Sequence, residues 1–203
     1  MSSVTETSSA SAATPLPPPH AATEFFAASF ARMAGAETSA NRRAMRDRAW
    51  QHFERQGFPT LQQEEWRFTN VAPVAKTTFR RPAATDRKKL AAGVDQFRLA
   101  RTIELVFVDG PFDAALSATE LPAGLTVTPA AGIAGTGDAS RADALLGSVA
   151  GIDTRPFAAL STALFEELAF VEVARGAVVE APLHLLFYST AQDTPGASFP
   201  RTL

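Results

Sequence analysis

Apolar positions keep two rhythms along this chain. Up to residue 57 they recur three or four apart, the spacing of a helix that buries one stripe; after residue 101 they come in short runs bounded by turn residues, the mark of strands. The first helix is predicted over Glu24 to Met33, with Thr23 as its cap, Phe25, Phe26 and Phe30 as its stripe and Gly35 as its stop. Ser39 caps a second helix, Ala40 to Gln56, where Met45, Ala49 and Phe53 form an i, i+4, i+8 seam beside Trp50. Thr102 to Asp109, TIELVFVD, is the clearest strand; Asp109-Gly110 reads as a turn and Pro111-Phe112 as a short return. Leu125 to Thr128 is a further strand. Asp138 caps a helix from Ala139 to Val149, and Pro156 opens one from Phe157 to Glu167. Strands then follow at Ala169 to Val173, Ala177 to Glu180 and Leu183 to Tyr188, with corners at Arg175-Gly176 and Ala181-Pro182. Strands separated by tight corners, without intervening helices, suggest the opening rungs of a β-solenoid.

Between the two rhythms lies GFPTLQQEEWRFTNVAPVAKTTF, Gly57 to Phe79. Gly57 fits the left-handed position that ends a helix, Phe58 can fold back on the last turn, and Pro59 prevents the helix from resuming. Thr60 and Gln63 have the spacing of a capping box, which puts Glu64 and Glu65 in a first turn, where negative charge is favoured. Trp66 and Phe68 call for a core, and Arg67 between them can reach a carboxylate or stack on a ring. Glu64 and Glu65 do not suit an acid/base pair, because neighbouring helical residues diverge by about 100°. Arg80 to Ala100 is polar and reads as a loop with room for one helical turn.

The remaining composition narrows the picture. Of the 203 residues, 46 % are hydrophobic and 20 % charged, so a packed core can form; Met1 to Pro19, built from Ser, Thr, Ala and Pro, has little to bury and reads as a disordered leader. With no cysteine there are no disulfides or thiolate metal sites. No secretory signal and no run of about 20 apolar residues is present, so a cytoplasmic protein is expected. The net charge of −2 hides an asymmetry: residues 42 to 101 hold 14 Lys and Arg against 6 Asp and Glu, and residues 102 to 203 hold 4 against 12. The basic block could serve a nucleic-acid-binding module, attract the acidic half, or form a solvated face; Asp47 and Glu54 interrupt it, and no docking motif surrounds it.

Motifs for chemistry fail on their spacing. GIAGTGD, Gly132 to Asp138, lacks the Lys-Ser/Thr pair of a phosphate loop, and Ser148 is misplaced for a nucleophile elbow. His20, His52 and His184 have no partners at metal-ligand spacing; His184 fits a hydrogen-bonded wall position in its strand. No catalytic, cofactor-binding or metal-binding residue is assigned.

Three ordered stretches carry a resemblance. GFPT…EEWRFTNVAPV, VFVDGPFDAALS…LPAGLTVTPA and the run from Phe157 to Tyr188, with the terminal FPRTL, resemble segments of the SufB/SufD family, and its SufD-type branch in particular, given the long EEWRF-type front and the absence of cysteine. Two positions depart from the pattern: Ser161 stands where the family has Asn, and Glu167-Leu168 where it has an Asp-Gly turn. The resemblance implies an α+β fold: a leader (1–19), a helical N-terminal domain with linker (20–100), a small mixed α/β segment (101–168) and the first strands of a right-handed parallel β-helix (169–203), truncated. It implies a non-enzymatic scaffold subunit for iron–sulfur cluster assembly, partnered by SufB-like and SufC-like subunits. The family's cluster-building residues lie beyond residue 203, so no cofactor is expected here.

Overall fold

The computed structural model describes residues 21–83, 85–129, 137–190 and 194–203; the leader and most of the glycine-rich run lie outside them. Helices α1 (Ala21–Ala36) and α2 (Ala40–Gln56) come first. A single 3-10 turn (Glu64–Trp66) and the short α3 (Ala72–Lys76) follow, then α4 (Arg87–Asp95). The second half runs β1 (Ile103–Val108), β2 (Leu125–Pro129), α5 (Gly137–Leu145), α6 (Pro156–Leu164), β3 (Glu167–Val173), β4 (Leu183–Tyr188) and β5 (Pro200–Thr202). The mixed α+β expectation holds.

The helical front is closed by a helix from the far half of the chain. Phe26 of α1 and Ala49, Trp50 and Phe53 of α2 share a buried core with Ile152 and with Ala159, Leu160, Ala163 and Leu164 of α6. Two members of the predicted α2 seam, Ala49 and Phe53, sit in this core. The third, Met45, packs on a neighbouring cluster of Ala142, Leu146, Phe165, Leu168 and Phe170. Phe30 stacks flat on Trp50, with ring centroids 4.9 Å apart.

The strands form two small sheets. In one, β1 and β4 run parallel, with Ile103 opposite Leu183 and Val108 opposite Tyr188. In the other, β3 is central, antiparallel to β2 and parallel to β5. Strand β1 is covered on both sides. Val106 and Leu186 face Leu90 and Val94 of α4, while Leu105 and Phe107 face Ala169, Val127 and Val171 of the other sheet. A strand buried on both faces carries no polar face, which is why β1 reads as a near-continuous apolar run.

Several local expectations are corrected. Thr23 lies inside α1, which starts at Ala21 and continues through Gly35. Thr60 and Gln63 form a hydrogen-bonded turn (N···O 3.0 Å) and no capping box, since Gln63 itself precedes the 3-10 turn without a side-chain bond. Asp138 falls within α5, which ends at Leu145. The polar stretch after Arg80 holds a full helix, α4, capped by the Asp86 carboxylate on the N–H groups of Lys88 and Lys89. Helix α6 stops at Leu164, and Glu167 and Leu168 belong to β3; Phe165 makes the turn at φ −55°, ψ 130°, so the family's glycine is not required. Ala177 to Glu180 is not a strand.

Candidate interaction surface

The joint from Gly57 to Asn70 is built on aromatic rings. Gly57 ends α2 at φ 64°, ψ −162°, outside the expected left-handed helical well but in a region that only glycine enters freely, and its N–H bonds the Phe53 carbonyl. The chain then turns sharply, Pro59 is buried, and Phe58 lies back on Phe53 with centroids 5.2 Å apart. Phe58 also meets Phe26 and Phe157 at 5.9 Å each, and Trp66 meets Phe157 at 5.3 Å.

Above this floor the chain projects. Trp66 is half-buried, but Phe68 is 87 % exposed and Leu61 is also exposed, which corrects the expectation that both aromatics enter the core. Arg67 makes both contacts open to it, an ion pair with Glu64 at 2.8 Å and a stack over the Phe68 ring at 4.5 Å. Trp66 and Glu65 form one wall of a cleft of about 290 Å³; Arg155, Pro156, Phe157 and Ala158, at the start of α6, form the other. No sequence signal joins these walls, because they lie about 90 positions apart and meet only when α6 docks on α2.

Elsewhere several titratable groups are tied into the fold. His184 sits 3.3 Å from the buried Glu104, whose other oxygen takes an ion pair from Arg98 at 2.8 Å, so it is the hydrogen-bonded wall residue expected of it. His52 meets Asp153 at 3.0 Å, and His20 lies outside the described residues. Gly147 turns the chain at φ 79° against Met45, so Ser148 sits in an ordinary loop. No group of three metal-ligating side chains occurs among the described residues. No helix among them is long and apolar enough to cross a membrane.

The charge asymmetry resolves into contacts between the halves. Arg42 pairs with Asp143 at 3.1 Å, Arg98 with Glu104, and Arg87 with Asp113. Glu166, at the turn from α6 into β3, is held from two sides, by Arg32 at 2.6 Å and Arg81 at 2.5 Å. Arg46 is 3 % exposed and donates to the carbonyls of Ala163 and Phe165 while lying over the Phe165 ring at 3.8 Å. Burial pulls its pKa down against the opposing pull of Glu37. Arg42, Arg81, Arg87 and Arg98 of the basic block therefore serve the acidic half of its own chain, the second of the three readings its sequence allowed, while Arg43, Arg48, Lys88 and Lys89 are exposed, as the third has it.

Helices laid over parallel and antiparallel strand pairs, joined by an aromatic corner with an exposed tip, put this chain in the mixed α+β class. Residues 23–185 match the family model described as the SufBD protein N-terminal region, and the chain belongs to that family. Family membership suggests involvement in iron–sulfur cluster assembly, within a complex of Suf components. Comparison with curated proteins gives no match.

Proposed function

We propose that this chain is the front of a SufD-type scaffold subunit that works by protein–protein contact with SufB-like and SufC-like partners in the cytoplasm. It performs no catalysis; the iron–sulfur cluster is cargo of the assembly, and no residue of this chain is assigned to it. The observation that carries the reading is the family match over residues 23–185. Strand order supports it further. Consecutive strands β3 and β4 lie in different sheets, and β5 returns parallel to β3, as successive coils of a right-handed parallel β-helix would. The ion pairing of Arg42, Arg87 and Arg98 with the chain's own carboxylates disfavours the nucleic-acid alternative.

The test is co-expression of the gene, carried to its stop codon, with tagged SufB-like and SufC-like subunits from the same organism. A complex that survives size-exclusion chromatography at physiological salt is expected. Elution of this subunit apart from both partners would refute the proposal.

A further inference from the structure

Phe68 stands 87 % exposed beside a cleft whose walls are aromatic. The local backbone keeps it there. The Thr69 N–H bonds the Trp66 carbonyl at 2.8 Å, closing a four-residue turn with Arg67 and Phe68 at its corners. The Arg67 guanidinium lies over one face of the Phe68 ring at 4.5 Å and leaves the other face to solvent. The ring therefore does not fold into the cleft that begins two residues earlier, at Trp66. Trp66 and Phe157 line that cleft, with centroids 5.3 Å apart and Pro156 beside them. A closed apolar cavity of about 150 Å³ accepts benzene, so the cleft, at about 290 Å³, has room for one phenyl ring and the chain that carries it.

The rim adds charge of both signs. Glu65 stands on the wall with Trp66 and Arg155 on the wall with Phe157; both are exposed, and neither has an ion pair or hydrogen bond with a described residue. One patch thus holds an exposed ring, a ring-lined cleft, a free carboxylate and a free guanidinium. Such a patch is self-complementary: a two-fold rotation sets ring against cleft and anion against cation, twice over. We infer that this patch joins two copies of the chain, with Phe68 of each copy entering the Trp66–Phe157 cleft of the other. Glu65 of each copy then faces Arg155 of the other. Both rings and both clefts are consumed in the pair, so association stops at two. Contacts this small belong to the weak, transient class, so the dimer forms at micromolar to millimolar concentration. This inference does not depend on the Suf assignment, because both sides of the contact belong to this chain.

The experiment is sedimentation equilibrium of the full chain, from low micromolar to millimolar concentration, beside its Phe68→Ala variant. Phe68 lies outside the core, so the variant keeps the fold. The parent is expected to pass from monomer to dimer and no further. Phe68→Ala should raise the dissociation constant more than about tenfold, the scale of a central aromatic anchor. Glu65→Arg and Arg155→Glu should each weaken the dimer, and the two together should restore it, because the exchanged charges again face each other. A parent that stays monomeric throughout would overturn the inference and leave the cleft to another protein. Association that continues past two copies, or that Phe68→Ala leaves unchanged, would overturn it as well, by placing self-contact on a different surface. Additive weakening in the charge exchange would remove Glu65 and Arg155 from the interface and overturn the two-fold arrangement.

Discussion

Arg46 shows how one side chain can tie the two halves of the chain together. Its guanidinium is buried and satisfies the carbonyls at the end of α6, while Glu37 offsets its charge. Arg46→Ala removes those donors and leaves Glu37 without its closest cation. A loss of about 3 kcal/mol is expected in urea unfolding, the range for breaking a buried ionic contact. Asp113 gives a residue-scale pH dependence. The hydrogen bond from Arg87 pulls its pKa below the usual carboxylate value, against the upward effect of burial, with help from the N–H groups of Leu116 and Ala115. A depressed folded pKa contributes stability above the unfolded value, about 3.9, and that stability is lost as pH falls through the folded value. Thermal unfolding followed from pH 5 to pH 2 should therefore show a steeper acid limb in the parent than in Asp113→Asn. The effect is modest, since Arg87 is solvent-exposed. At this scale the sequence identified Trp66, Arg67 and Phe68 as the notable side chains. It did not separate the ring that packs from the ring that projects, because that depends on where α6 places Phe157.

Helix boundaries were legible where capping is local. Ser39 caps α2 as expected, its hydroxyl accepting from the Arg42 N–H at 3.4 Å, and Ser39→Ala should cost about 1 kcal/mol by chemical denaturation. Helix α4 shows the opposite case. Its sequence RKKLAAGVD offers only Leu90 and Val94 as buried apolar anchors, too few to mark a stripe until β1 and β4 supply a surface beneath them. Its fit against β4 is close: a Cβ on Gly93 would stand 2.1 Å from the Tyr188 hydroxyl oxygen. Gly93→Ala should thus destabilise by about 1–3 kcal/mol, as overpacking does. The double variant with Tyr188→Leu should recover part of that loss; an additive double mutant would show that the clash is not the cause.

Across the whole molecule, the charged halves act as each other's counterions. Glu166 sits where α1, the segment after α3, and the α6–β3 turn converge, with Arg32 and Arg81 on its two oxygens. Glu166→Gln should cost about 1 kcal/mol or less, as partly exposed pairs do, and its difference from the parent should shrink as salt rises from 0.05 to about 0.5 M. The same pairing engages Arg42, Arg81, Arg87 and Arg98 with the chain's own carboxylates, so no tight, steeply salt-dependent retention of DNA or RNA is expected in gel shifts.

Read alone, the sequence determined the features whose causes are local: the caps and seam of α2, the glycine that ends it, the apolar runs of β1 and β4, and the ordered segments that resemble the SufB/SufD family. The tertiary structure decided which stretches pair. Hydrogen bonding between β1 and β4, 80 positions apart, depends on partners that no local pattern names. Ala177 to Glu180 has the composition of a strand but meets no strand partner among the described residues, and α4 has weak helical periodicity but gains a sheet to cover. In both places the free energy comes from the surface met on folding, a quantity absent from any window of the chain.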